Sequence, residues 1–133
     1  MIAGVADTHA ALWHLFDDTR LSAPARAFID KAAIDRRRIV VSSVSLAEIV
    51  YLIEKGRLPP SAYVDLRAAL GDPDHVLKEA PFTLEIVDAV RRVPRAAVPD
   101  MPDRMVAATA VYFGVPVISR DGRIRASTVS TVW

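Results

Sequence analysis

Three short apolar runs constrain this chain more than any other feature: Ile2–Ala6, Ile39–Ser42 and Val115–Ser119. Each is rich in valine and isoleucine, and each has the length of a buried strand rather than of a helix. Segments of helical character separate them, so strand and helix alternate along the chain. An α/β fold with a parallel, doubly wound sheet follows. In such a sheet, ligands bind along the edge formed by the carboxyl ends of the strands.

Punctuation places the remaining elements. Asp7–Phe16 reads as a helix with Leu12, Trp13, Leu15 and Phe16 on its apolar side. Ser22 is a good N-cap, and Pro24 is tolerated in the first turn of the helix that then runs to about Ala33. Ser45 is expected to cap Leu46–Glu54, which stops at Lys55-Gly56, since glycine commonly follows a helix end. Pro59-Pro60-Ser61 opens Ala62–Leu70, and Gly71-Asp72-Pro73 closes it. His75–Glu79 reads as a short strand, Thr83 as the cap of Leu84–Val93, and Pro94–Pro102 as a loop. The alanine-rich helix Arg104–Phe113 ends at Gly114. Asp121-Gly122 is a turn signal, and Thr128–Val132 is a last short strand.

The length, 133 residues, suits a single domain spanning 1–133. The apolar fraction of 52% and mean hydropathy of +0.24 are high for so small a chain, and imply apolar surface buried against a partner. No apolar run reaches the length of a membrane span. Met1-Ile2-Ala3-Gly4 enters a strand with no basic leader, so the expectation is no signal peptide and a cytoplasmic protein. There is no cysteine, which excludes disulfide and thiolate chemistry. The net charge is only +1, and the basic residues are mostly arginine, whose forked donors suit phosphate.

Four acids fall where these elements meet. Asp7 follows Ile2–Ala6, and Glu48 lies one turn into the helix after Ile39–Ser42. Asp103 opens the helix Arg104–Phe113, and Asp121 follows Val115–Ser119. Each has a bland explanation. Asp7 can N-cap a helix, and Ser45-Leu46-Ala47-Glu48 fits a capping box. Asp103 favours the helix dipole, with Asp100 as the cap. None of these explains why all four acids map to one sheet edge. Carboxylates gathered there repel unless a cation joins them, and hard oxygen donors suit Mg²⁺ or Mn²⁺. Phosphodiester hydrolysis is the matching chemistry, because it needs an activated water, a neutralised phosphate and a stabilised leaving oxygen.

The residues also resemble a known family. Val5-Ala6-Asp7-Thr8-His9-Ala10-Ala11-Leu12-Trp13 is similar to the opening of PIN-domain nucleases of the VapC toxin type. Leu21-Ser22 with Ala25-Arg26, and Ser43-Val44-Ser45-Leu46-Ala47-Glu48-Ile49, resemble its next blocks. Pro102–Ala110 and Val115–Asp121 look like the third and fourth acidic blocks. No single block is specific, but the ordered set is, and it runs from about residue 2 to Trp133. Many relatives carry a basic residue and an Asp-Pro pair before the third acid; here the stretch is Ala97-Val98-Pro99-Asp100-Met101-Pro102.

The resemblance implies a PIN-like three-layer α/β/α fold with a central, mostly parallel sheet of four to five short strands. It implies a Mg²⁺- or Mn²⁺-dependent endoribonuclease, the toxin of a toxin–antitoxin pair, cutting RNA by metal-activated water. By motif, Asp7, Glu48, Asp103 and Asp121 are the metal-holding, catalytic acids. Thr8, Asp100, Arg104 and Arg120 are candidates for outer-shell or substrate contacts. The implied partners are RNA, a small antitoxin and a second copy of the chain. Dimerisation is expected through Leu46–Glu54 and Leu84–Val93, and the antitoxin helix is expected near Val50, Leu52 and Tyr63.

Other residues carry less. His9, His14 and His75 do not form a ligand set; His9 lies close to Asp7, where it could touch substrate, but it reads more readily as a packed or solvated helix histidine. No Gly-x-Ser-x-Gly elbow surrounds Ser43 or Ser45. Arg36-Arg37-Arg38 precedes a strand, so it should lie on the edge opposite the acids as a solvated cluster. Arg91, Arg92, Arg95, Arg123 and Arg125 flank the acidic blocks as candidate phosphate contacts. A haloacid-dehalogenase-like phosphatase would want Asp-x-Asp where Asp7-Thr8-His9 stands. A receiver domain would want a late lysine, and the lysines are at 31, 55 and 78. The remaining alternative is a non-catalytic PIN-like scaffold that binds RNA or protein without cutting.

Overall fold

The computed structural model describes all 133 residues, Met1–Trp133. In order, the elements are β1 (Ile2–Ala6), α1 (Thr8–Leu15), α2 (Ala23–Ile34), β2 (Arg38–Ser42), α3 (Ser43–Glu54), α4 (Ser61–Gly71), β3 (Leu77–Ala80), α5 (Leu84–Val90), α6 (Met101–Phe113), β4 (Val117–Ile118), α7 (Gly122–Ala126) and β5 (Thr131–Val132). The strands form one sheet in the order β3-β2-β1-β4-β5, every pair parallel.

Both faces of the sheet are covered, which is why its strands read as continuous apolar runs. On one face Ala3, Ala6, Ile39, Val41, Leu77 and Ile118 pack against side chains of α1–α4. On the other, Val5, Val40, Ala80 and Val117 pack against α5–α7. The expected three-layer α/β/α arrangement is therefore present. The centre of α6, Val106–Ala110, is buried, as its alanine content predicts. At Gly4 a Cβ would come within 3.0 Å of Phe28 and 3.2 Å of the Pro116 carbonyl, so the close packing of β1 requires glycine there. No helix is long and apolar enough to cross a membrane.

The sheet order sets the position of the site. From central β1 the chain moves outward through β2 and β3, then returns to β4 on the other side and continues to β5. The crevice between the ends of β1 and β4 is thus the switch point where ligands bind in open α/β sheets.

Several boundaries differ from expectation. Helix α3 starts at Ser43, because Ser42 at the strand end takes the cap, its Oγ accepting from Val44 N at 3.1 Å. Ser45 is therefore a buried helix residue, and the expected Ser45–Glu48 capping box does not form. Helix α6 begins at Met101 with Asp100 as its cap, two residues before Asp103. Asp121-Gly122 is the start of the short helix α7 rather than a bare turn. Helix α5 stops at Val90, and Thr83 at its N-cap position makes no side-chain hydrogen bond. The strands β3, β4 and β5 are shorter or shifted by a residue or more relative to the apolar runs.

Candidate active site

Beyond the ends of β1 and β4 lies a cavity of about 450 Å³. Its walls carry Asp7, Glu48, Asp103 and Asp121, together with Thr8, His9, Trp13, Asp100, Val106 and Arg120. All four sequence-predicted acids converge there, from four different elements.

Local structure explains how each is held. Asp7 leaves β1 and caps α1, accepting from Ala10 N at 2.8 Å. Asp100 caps α6, which turns Asp103 in its first turn toward the cavity. Asp121 caps α7, accepting from Arg123 N and Ile124 N at 2.9 and 3.0 Å. Capping and cavity-lining thus coincide in Asp7, Asp100 and Asp121. The cap reading is right for Asp7 and Asp100, Asp121 caps α7 rather than making a bare turn, and in each case the cap is also the device that aims the residue. Asp7 and Asp100 further set the amino ends of α1 and α6, the positive ends of their dipoles, beside the acids.

Glu48 sits a full turn into α3, and Thr8 fixes it, donating from Oγ1 to Glu48 Oε1 at 2.6 Å. Thr8 is buried and Glu48 partly so, which leaves the bond only partly open to water. Ser119, fully buried at the end of β4, hydrogen-bonds the Asp7 carboxylate, and its Oγ accepts from Asp121 N at 3.0 Å. One serine therefore touches the carboxylate of Asp7 and the backbone of Asp121. The only trace of that role in the sequence is its position two residues before Asp121.

The charges are mutually uncompensated. The ion pairs of the structure are Arg20–Asp18, Arg26–Asp17 and Lys31–Asp35, none of which involves a cavity acid. Burial, with Asp121, Asp100, Asp7 and Glu48 adding repulsion, pushes the Asp103 carboxyl up to about 7. Burial also raises Asp7, opposed by its bonds to Ser119 and Ala10 N and by His9, and assisted by Asp121. Groups that repel in this way bind cations well.

The donor set is made of hard carboxylate oxygens, the kind that Mg²⁺ and Mn²⁺ prefer. No three acidic or histidine side chains form a ready-made coordination group. The arrangement fits an ion that keeps several of its waters and takes few direct protein ligands, as Mg²⁺ commonly does.

The candidate outer residues divide. Thr8, Asp100 and Arg120 line the cavity. Arg104 does not. Its guanidinium turns away to the carbonyls of Val93 and Val90, at 2.8 and 3.2 Å, and ties the end of α5 to α6. Of the arginines flanking the acidic blocks, only Arg120 reaches the cavity, and it lies with its Cζ 4.6 Å from the Trp13 ring centroid. Arg37 and Arg38 lie at the far edge, where they bond the carbonyls of Ile2, His75 and Pro73. That placement agrees with the sequence, although these two residues serve as backbone ties rather than a free solvated cluster.

Trp13 and His9 complete the wall. Trp13 is buried, His9 packs at 5.6 Å from it, and the Arg20 Cζ lies 5.1 Å from its ring centroid. In the sequence Trp13 is one apolar helix residue among several, and His9 is a lone histidine. The only signals for them are their place in the opening block Val5–Trp13 and the closeness of His9 to Asp7.

Comparison with known proteins agrees with this geometry. The family model described as "PIN domain" matches residues 5–128. A chain of VapBC2 from Rickettsia felis, in a crystal structure with a DNA fragment from its promoter, superposes with a TM-score of 0.70 at 14% identity, covering 98% of this chain and 97% of that one. A chain of a toxin–antitoxin complex from Klebsiella pneumoniae gives 0.63 at 17%, covering 98% and 97%. A chain of FitAcB from Neisseria gonorrhoeae gives 0.61 at 19%, covering 98% and 96%. At these identities the likeness is one of fold. A search of curated proteins gave no match.

Proposed function

Since this chain belongs to the PIN-domain family, we propose that it is a divalent-metal-dependent endoribonuclease acting as the toxin of a toxin–antitoxin pair. The observation that carries the proposal is the convergence of Asp7, Glu48, Asp103 and Asp121 on one cavity with no cation of the chain paired to them.

Asp7, Glu48, Asp103 and Asp121 would hold the ion or ions, here Mg²⁺ or Mn²⁺. When bound, such an ion neutralises phosphate charge and lowers the pKa of water toward neutrality. The chain's own residues supply position. Thr8 fixes Glu48, and Ser119 touches the carboxylate of Asp7 and the backbone of Asp121. Arg120 is the one cation in the wall, and its lack of a carboxylate partner leaves it free to meet a substrate phosphate. No side chain is placed as a covalent nucleophile: Ser119 is buried, and its Oγ accepts from the backbone N–H of Asp121.

Two protein partners belong to the same reading. The structures of similar fold are toxin–antitoxin assemblies. On this chain Val50, Tyr51 and Val64 of α3 and α4, and Leu84 and Val87 of α5, are exposed apolar side chains. They supply surface for a second copy and for an antitoxin helix. A basic residue of the antitoxin that reaches the carboxylates would replace the metal charge and inhibit.

The deciding experiment is cleavage of total cellular RNA by the purified protein with Mg²⁺, Mn²⁺ or EDTA. Cleavage should require the ion and should vanish in Asp7→Ala, Glu48→Ala and Asp103→Ala. Asp121→Ala should retain more activity. Cleavage that persists in EDTA overturns the mechanism. No cleavage under any condition, with the fold intact, favours the non-catalytic scaffold.

A further inference from the structure

A second groove adjoins the acidic cavity. The two share His9 and Trp13 in their walls, so they lie side by side. The groove measures about 410 Å³, and beyond the shared residues it is bounded by Phe16, Arg57, Leu58 and Ser61 among others. Acids dominate the cavity, whereas the groove offers an aromatic ring, aliphatic carbon and arginine.

Its walls are built rigidly from two helix ends of the same design. After α1, Asp17 is left-handed with φ 52°, Asp17 N donates to His14 O, and Asp18 N donates to Trp13 O. After α3, Gly56 is left-handed with φ 72°, Gly56 N donates to Ile53 O, and Arg57 N donates to Leu52 O. Both pairs of bonds form the Schellman cap, which closes off the last carbonyls and fixes the exit direction of the chain. Asp17 adopts this conformation without being glycine, and Arg26 holds its carboxylate at 2.6 Å. Phe16, from the end of α1, and Arg57, just past the end of α3, both line the groove.

These two side chains are available to a ligand. Phe16 is 46% exposed. Arg57 is exposed and takes part in no ion pair, unlike Arg20, which Asp18 holds at 2.7 Å. A polyanionic strand whose phosphodiester enters the acidic cavity must continue somewhere, and its next unit carries a flat ring and another phosphate. An exposed aromatic face and an arginine outside any ion pair, in a groove that adjoins the cavity, match those two groups. A base held in a duplex could not turn into such a groove, so the matching strand is single.

We propose that this groove is the subsite for the nucleobase adjacent to the cleaved phosphodiester of single-stranded RNA, with Phe16 as the stacking face and Arg57 as the contact to the neighbouring phosphate. The proposal rests on the ribonuclease reading. Its test is a binding measurement in EDTA, which does not need catalysis and so fails separately from that reading.

The probes are four homopolymeric oligoribonucleotides, one per base, and a ribose-phosphate strand of equal length without bases. Wild-type protein should bind at least one base-bearing strand about tenfold more tightly than the abasic strand, the scale of one stacked base. Phe16→Ala should lose that preference while binding the abasic strand as wild type does. Arg57→Ala should weaken both strands alike and lower the slope of log affinity against log salt by about one. Melting curves of both variants should match wild type, since both side chains are exposed. Equal binding of base-bearing and abasic strands by wild type overturns the subsite, as does an undiminished base preference in Phe16→Ala. If both variants bind RNA normally but lose association with a protein partner, the groove is a protein-docking surface and the proposal falls.

Discussion

Thr8 Oγ1 donates to Glu48 Oε1 at 2.6 Å, joining residues 40 positions apart. This bond ties the middle of α3 to the start of α1, where Glu48 lines the acidic cavity. Thr8→Val keeps the shape and removes the donor. A buried hydrogen bond to a charged group contributes roughly 1.5–3 kcal/mol, so the variant should melt several degrees lower. RNA cleavage should fall with it, while Thr8→Ser should recover most of both. Thermal melting and cleavage rates of the two variants check this.

The Asp103 carboxyl, raised to about 7, makes the stability of metal-free protein depend on pH. In the unfolded chain the same group titrates near 3.9. Between those values the folded state binds more protons, so stability falls as pH rises from about 4 to about 7. Asp7 acts in the same direction. His14 and His75, lowered by burial, act oppositely and destabilise the fold as pH falls below their ordinary range. The difference between wild type and Asp103→Asn isolates the carboxylate. In EDTA at pH 8 the variant should melt about 3 °C or more above wild type, after discounting for solvent screening, and at pH 4 the two should coincide. Millimolar Mn²⁺ at pH 8 should raise wild type and leave Asp103→Asn nearly unchanged. An unchanged wild-type melting curve in Mn²⁺ would count against the ion site.

The arginines should separate by edge. Arg120→Ala removes the one cation of the cavity wall and should lower cleavage about tenfold or more, as loss of a charge-assisted phosphate contact does, with little change in melting. Arg36→Ala should leave cleavage near wild type. Arg38→Ala should leave chemistry intact but lower stability, since its guanidinium holds the His75 and Pro73 carbonyls. Kinetics and melting on the three variants decide it, and a large cleavage loss in Arg36→Ala would contradict the placement of that cluster.

The exposed apolar side chains Val50, Tyr51, Val64, Leu84 and Val87 lead to a prediction of association. Light scattering at micromolar concentration should give a mass above 14.5 kDa, consistent with a dimer. Tyr51→Glu with Val87→Glu should shift it toward monomer without loss of fold. A monomer in the wild type contradicts the dimer. With a cognate antitoxin, removing the basic residue near the acids should restore cleavage within an intact complex.

The sequence by itself determined the alternation of strand and helix, the burial of the sheet on both faces, and the edge on which Asp7, Asp103 and Asp121 lie. Those features are written in short apolar runs, in cap residues and in their spacing, which act over a few neighbouring positions. Only the tertiary structure decided how side chains turn. Ser45-Leu46-Ala47-Glu48 has the composition of a capping box, yet Ser42 caps the helix and Glu48 bonds Thr8, because β2 delivers the chain to α3 three residues earlier. Arg104 stands beside Asp103 in sequence but faces the end of α5, since neighbours on a helix point in different directions. Trp13, Ser119 and the groove at Phe16 and Arg57 come together from segments distant in the chain. Long-range packing fixes their relative positions, and no local pattern encodes it.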